Sequence, residues 1–376
     1  MPCIYRDKSE RSELTNLHLC HWTSRLHSCT NRQNPIKPVI ETISRDRLID
    51  LLNAGADQRI AIIGDAMLDV YLRGDVDRIS PEAPVPVVRV REKELALGGA
   101  ANVAQNIFAI GAQCDLVCAV GDDAEGQVIK AMLREIESEL RSVVTVGRRT
   151  TTKTRVLARS QQVVRFDEEE DADITGDDVQ RLLDAALRAI DNCNALVLED
   201  YNKGVLTPIL IAPAMKQAAS LNIPVVVDPK YRNFFAYKGA TIFKPNKREL
   251  ESALGAAVDI EHPEALPESI KRLGVEHLLL TLGEAGMALI AADGEVGRVP
   301  TTAREVYDVV GAGDTVTAYL ATMLAAGATP AEAAVIANFA AGVEVAKLGA
   351  ATVSIDEVVE AYDLFGAAGT ADAPAA

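Results

Sequence analysis

Between residues 177 and 282, short apolar runs alternate with helix-periodic stretches. They read as helix 177–191, strand 195–199, helix 207–221, strand 223–228, strand 240–243, helices 246–254 and 264–273, and strand 277–282. This rhythm predicts an α/β fold, a mainly parallel sheet with helices on both faces. Upstream, Ile60-Ala61-Ile62-Ile63 is apolar at every position, as in a strand buried on both faces. Ligands of such sheets bind outside the carboxyl ends of the strands. There this chain turns polar: Glu199-Asp200-Tyr201-Asn202-Lys203-Gly204, Asp228-Pro229-Lys230-Tyr231, Lys244-Pro245-Asn246-Lys247-Arg248-Glu249 and Thr281-Leu282-Gly283-Glu284. Four polar ends on one edge are hard to explain by solvation alone.

The densest chemistry follows in Tyr307-Asp308-Val309-Val310-Gly311-Ala312-Gly313-Asp314-Thr315. Two glycines form a turn, an acid comes at once, and a small-residue helix 315–326 runs on. A helix opened this way presents free N–H groups and the positive end of its dipole, a cradle for a phosphate. Asp314 then stands beside the phosphoryl group as the base for an attacking hydroxyl. The plainer alternative is a helix cap. No Lys-Ser or Lys-Thr pair follows the glycines, so this is not a Walker loop, and Val316 replaces the third glycine of a dinucleotide fingerprint.

A net charge of −16 over 376 residues argues against nucleic acid and anionic membrane as partners. No apolar run reaches the ~20 residues of a membrane span, and the N-terminus lacks the order of a secretory signal. The few cysteines show no framework spacing, which points to a reducing cytoplasm. Residues 1–43 carry Cys3, Cys20, Cys29, His18, His21, His27 and Trp22 without apolar periodicity. They are expected to be a disordered or mis-annotated extension, and the Ala/Gly/Pro-rich stretch 366–376 a disordered tail.

Other candidates fall along the chain. Asp65 and Asp69, just past the first strand, suit neighbouring hydroxyls. Pro/Val-rich 76–90 reads as an extended flap outside the main sheet. Gly98-Gly99 opens another small-residue helix that carries Asn102. Cys114–Val120 is a strand and Gly126–Leu140 a helix. Thr150–Arg159 and 162–166 alternate as strands and place Lys153, Arg155, Arg159 and Arg165 together, a basic cluster suited to a substrate phosphate or to a guarded sheet edge. Asn246 and Glu249 share a helical face, either to hold the waters of Mg²⁺ or to close a capping box. Gly283 lets a nucleotide pass close, and Asn338 on helix 330–347 suits the edge of a base pocket.

The Gly311-Ala312-Gly313-Asp314 turn, the Gly98-Gly99-x-x-Asn102 segment and the Asn246-x-x-Glu249 pair together resemble the ribokinase-like (PfkB) sugar kinases, in that family's order, over about Ile60–Ala361. Gly64–Tyr71, Arg78–Val88, Glu199–Gly204 and Asp228–Tyr231 look most like the kinases of D-glycero-β-D-manno-heptose 7-phosphate. The resemblance implies one kinase domain, 44–365, with a β lid from about 71–97 and 150–167 that pairs with a second copy. It implies ATP and Mg²⁺ and leaves room for a monovalent cation. Catalysis would fall to Asp314 with Gly311, Ala312 and Gly313. Asn246, Lys247, Arg248, Glu249, Thr281, Gly283 and Asn338 would bind nucleotide, with Asn246 and Glu249 holding Mg²⁺ through water. Asp65, Asp69, Gly98, Gly99 and Asn102 would meet the sugar. Lys153, Arg155, Arg165 and Lys203 would meet its phosphate, and Glu199, Asp200, Asp228 and Lys230 would complete the substrate site. No His-x-Gly-His nucleotide-binding turn is present, so a stand-alone kinase is expected. A kinase of another sugar, or a sugar-binding regulator on the same scaffold, is the alternative.

Overall fold

The computed structural model describes residues 43–136, 140–159, 161–259, 266–303, 306–347 and 349–365. The expected N-terminal extension up to residue 42 and the tail 366–376 lie outside them.

Nine strands of the described residues form one sheet in the order β13-β12-β11-β10-β9-β8-β1-β4-β5. Its centre is β1 (Arg59–Gly64), flanked by β4 (Gln113–Gly121) and β8 (Ala195–Glu199), both parallel to it. β5 (Val143–Val146) closes one side. On the other, β9 (Val225–Asp228), β10 (Ile242–Phe243) and β11 (His277–Thr281) continue in parallel. β12 (Met287–Ala291) and β13 (Val296–Val299) then turn back antiparallel. The expected mainly parallel α/β sheet is therefore what the chain forms.

Alternate residues of β1 supply the two cores, because successive side chains of a strand point to opposite faces. Ile60 and Ile62 join Leu48 and Leu51 of α1 (Arg45–Ala56), Val103 of α2 (Ala100–Ala109), Leu320 of α8 (Ala312–Ala325) and Ile336 of α9 (Pro330–Glu344). Ala61 and Ile63 join Leu182 of α4 (Gly176–Ile190), Leu210 of α5 (Pro208–Leu221) and Ile270 of α7 (Leu266–Leu273). Cys114 and Cys118 belong to the first of these cores.

α3 (Ala124–Glu135) ends before the expected Leu140, and Leu140–Ser142 is a short 3-10 turn. α9 likewise stops at Glu344 rather than 347, and α10 (Ile355–Phe365), β5, β12 and β13 were not foreseen. β5 and β13 are four residues long, too short for periodicity to mark.

A second sheet, in the order β3-β2-β6-β7, stands outside the first. β2 (Ala66–Ile79) leaves β1 after one residue and returns as β3 (Pro86–Gly99), while β6 (Thr152–Ala158) and β7 (Gln161–Glu168) come from a separate hairpin. The parallel β2–β6 pairing sets Asp69 opposite Lys153 and Tyr71 opposite Arg155.

Candidate active site

The floor of the site is the start of α8. Gly311 caps this helix at φ 98, a left-handed conformation that disfavours any side chain. A Cβ there would also lie 3.1 Å from both Asn102 Nδ2 and Glu344 Oε1. The first-turn N–H groups of Ala312, Gly313 and Asp314 have no partner within the helix, so they face outward as donors. The Asp314 side chain is buried.

Its carboxylate is held at both oxygens. Asn102 Nδ2 donates to Oδ2 at 2.8 Å, and the Tyr201 hydroxyl donates to Oδ1 at 2.8 Å. Asn102 is itself steadied by Asn106, whose Nδ2 donates to the Asn102 carbonyl at 3.0 Å, and Thr315 Oγ1 donates to Asn106 Oδ1 at 3.2 Å. The network ties α2 to α8. Burial pushes the Asp314 carboxyl up to about 6 against the two hydrogen bonds, so near neutrality it is a carboxylate able to accept a proton. Burial keeps the Tyr201 hydroxyl far above its ordinary range, so it stays a donor.

A small cavity opens on this carboxylate, lined by Asp69, Gly99, Asn102, Lys153, Arg155, Tyr201, Gly311 and Asp314 among others. Stretches distant in sequence therefore meet at one point. Gly98 and Gly99 let β3 pass close: a Cβ on Gly98 would sit 2.8 Å from Asp69 Oδ2, and one on Gly99 2.4 Å from the Asp65 carbonyl. Arg155 Nη1 donates to Asp69 Oδ1 at 2.7 Å in a buried ion pair, with its guanidinium 5.2 Å from the Tyr71 ring. Lys153 faces the Tyr201 ring at 5.2 Å. Burial lowers its pKa against the pull of Asp69 and Glu169.

Other expected residues stand elsewhere. Asp65 does not line this cavity. Its oxygens accept the backbone N–H groups of Tyr201 and Lys203 at 2.9 Å each and of Val205 at 3.1 Å, which clamps the loop after β8. Asp200 points to Tyr237, whose hydroxyl donates to it at 2.7 Å, and burial pushes its pKa up to about 6. Lys203 pairs with Glu169 at 2.8 Å. Arg165 is exposed and pairs with Asp167 at 3.1 Å.

Beside Asp314, on the strand-end side, lie Glu199 and Asp228. One oxygen from each of the three falls within 4.8 Å of the others, all buried. Neither Glu199 oxygen accepts a hydrogen bond from a donor group, its polar neighbour being the Asp228 carboxylate, and burial with the Asp228 and Asp314 charges lifts its pKa well above the ordinary range. Asp228 is held low by Lys230 and Lys244 despite burial; Lys244 Nζ lies 2.8 Å from its Oδ2. Lys244 Nζ is also 3.6 Å from where a Cβ of Gly313 would be, a buried cation next to the anion cradle.

Asn246 and Glu249 form a capping box on α6 (Lys247–Leu254): each side chain accepts the other's backbone N–H at 2.9 Å. Lys230 Nζ takes the other Glu249 oxygen at 2.7 Å. For an oxygen-seeking divalent ion, Glu199 and Asp228 are the better fit, because the Glu199 oxygens accept from no donor group whereas the Asn246–Glu249 pair is satisfied. Lys247 and Arg248 are exposed on that first turn. Thr281 bridges to Asn246 at the end of β11, and Gly283 borders open space. Asn338 holds the Pro300 carbonyl at 2.8 Å and accepts from Thr302 through its own carbonyl at 3.2 Å.

Tyr201, Lys244 and Glu344 were not foreseen as site residues. The first two lie inside the polar strand ends. Glu344 is marked only by being an acid on the otherwise apolar, small-residue face of α9. It is buried with both oxygens unpartnered, and burial, then Asp308 and Asp314, push its pKa up to about 8.

The first turn of α8 and a held carboxylate meet at the carboxyl edge of a parallel sheet, beside the second sheet, an arrangement suited to moving a phosphoryl group to a hydroxyl. Residues 57–357 match the family described as pfkB family carbohydrate kinase, and the chain belongs to that family. It is 44% identical over 318 residues to the bifunctional protein HldE of Rhodospirillum rubrum, covering 84% of this chain and 64% of that one. HldE of Citrifermentans bemidjiense is also 44% identical, over 80% of this chain and 62% of its own length. The chain thus spans somewhat under two thirds of these relatives. Among solved structures, a putative ribokinase from Agrobacterium tumefaciens superposes with TM-score 0.68 at 21% identity, covering 83% of this chain and 99% of its own. Phosphofructokinase-2 from Escherichia coli in complex with potassium gives 0.69 at 19%, covering 82% and 99%. These two show the shared fold.

Proposed function

We propose that this carbohydrate kinase transfers the γ-phosphoryl group of ATP to the anomeric hydroxyl of D-glycero-β-D-manno-heptose 7-phosphate, giving the 1,7-bisphosphate, in the synthesis of ADP-heptose for the lipopolysaccharide core. The observation that carries the reading is the single cavity lined by both Asp314 and Lys153, a base and a cation. Among the described residues no carboxylate lies within ion-pair distance of Lys153, whereas Arg165 and Lys203 are paired. A substrate with a hydroxyl at one end and a phosphate at the other matches that polarity.

In this reading Asp69 and Asn102 orient the sugar, and Asp314 takes the proton of the attacking hydroxyl. The N–H groups of the Gly311–Asp314 turn, with Lys244 beside Gly313, offset charge on the phosphoryl oxygens. Glu199 and Asp228 would hold Mg²⁺, with Asn246 and Glu249 reaching it through water. A bound Mg²⁺ would neutralise nucleotide phosphate charge. Nucleotide would lie along Asn246–Glu249, Thr281, Gly283 and Asn338.

The lid carries Val76, Ile79, Val85, Val90, Val164 and Phe166 exposed, an apolar surface that suits pairing with the lid of a second copy. No helix of the described residues is long and apolar enough to cross a membrane, and the cytoplasm, where ATP is supplied, is the proposed location.

The test is ADP release with ATP and a panel of sugars. Heptose 7-phosphate should give the highest kcat/KM, with unphosphorylated heptose far below it. Equal turnover of both would contradict the reading.

A further inference from the structure

We infer that Tyr201 is the positioning residue of the base, fixing the Asp314 carboxylate through its hydroxyl; the inference rests on the reading of Asp314 as base. A carboxylate held at one oxygen can still turn about its last torsion, which is a broad one. Asn102 holds Oδ2 alone. The Tyr201 hydroxyl on Oδ1 removes the remaining freedom and leaves each oxygen a further lone pair for the acceptor hydroxyl.

Tyr201 is itself placed from several sides. Its backbone N–H donates to Asp65 Oδ2 at 2.9 Å, so the buried Asp65 at the end of β1 sets where the tyrosine begins. Lys153 lies 5.2 Å and Lys230 5.1 Å from its ring centroid, which places one ammonium near the lid and the other near Glu249. The edge of the ring packs 3.4 Å from where Gly99 would carry a Cβ. A ring so fixed delivers its O–H to one point. Pre-set geometry of this kind matters because a small misplacement of a reacting group costs rate rather than binding.

The test is a double-mutant cycle on ADP release with the sugar phosphate that the wild type turns over. Tyr201→Phe keeps the ring and both cation contacts and removes the O–H. It should lower kcat about tenfold, the scale of one lost hydrogen bond to a charged group, with KM for ATP and sugar phosphate within about twofold. In the Asp314→Asn background it should cause no further loss, because a residue acting only through the base has nothing left to position. Losses that multiply, or a Y201F enzyme with wild-type kcat, would overturn the inference. If D314N itself kept wild-type kcat, the base reading would fall as well; a damaged D314N with an unaffected Y201F sinks the inference alone. A crystal structure of Y201F is the independent measurement. The Asp314 carboxylate is expected to leave its wild-type rotamer, and an unchanged carboxylate would count against the role.

Discussion

The floor and the lid of the cavity are built in opposite ways. On the floor, Thr315, Asn106, Asn102, Asp314 and Tyr201 form one hydrogen-bonded chain across two helices and a strand-end loop. Most of it is buried, and Asp314 has a partner on each oxygen before any ligand arrives. On the lid, Lys153 meets the cavity beside the Tyr201 ring and, among the described residues, with no carboxylate in bonding range, while Arg165 sits in solvent. A preorganised floor acts on charge that develops during reaction, whereas a long, flexible cation recognises charge the substrate already bears. Damage to the floor should therefore appear in kcat, and damage to the lid in KM.

The largest effect is expected from Asp314→Asn, which should lower kcat by ~10²–10⁴ and leave both KM values nearly unchanged, as steady-state kinetics would show. A loss confined to KM would erase the contrast between the two walls. Lys153→Met comes next. KM for the sugar phosphate should rise about 10–100-fold, the scale of one or two charge-assisted hydrogen bonds, while KM for ATP holds. Arg155 is the poorer probe, because removing it strands Asp69 and breaking a buried pair costs ~3–5 kcal/mol of stability.

A third effect concerns pH. Asp314 must be ionised to act, and burial places its pKa at about 6. Activity should be flat above that value and fall about tenfold per pH unit below it, as the base takes up a proton. The residual activity of D314N should lack this acid limb, which separates it from titration of the substrate's own phosphate near pH 6. The smallest effect is Arg165→Ala. Its exposed pair with Asp167 is of a kind worth ~0–1 kcal/mol, so kcat and both KM values should stay within about twofold. A large KM change there would bring Arg165 into the phosphate site and sharpen the map of the lid.

Local features of the sequence foretold the sheet and the glycine-opened helix, because periodicity and turn chemistry are local signals. Gly311, Gly313 and Asp314 are neighbours in the chain, and the turn they make needs no distant partner to be read. Asp65 shows the limit. An acid at a strand end looks the same whether it faces a ligand or, as here, three backbone N–H groups of another loop. Asn246 and Glu249 carried two meanings at one spacing, and the structure contains the capping box. Tyr201 was visible as part of a polar strand end, but its hydrogen bond to a residue 113 positions away exists only once α8 packs beneath β8. The lid was legible as an extended segment, whereas the parallel pairing of β2 with β6 that puts Lys153 opposite Asp69 is a long-range register that no local pattern encodes.

A crystal structure with a non-hydrolysable ATP analogue and heptose 7-phosphate bound together tests the account most directly. The account predicts the anomeric oxygen within about 3 Å of an Asp314 carboxylate oxygen and the 7-phosphate against Lys153. An anomeric oxygen beyond the reach of one bridging water, or a 7-phosphate far from Lys153, would contradict it.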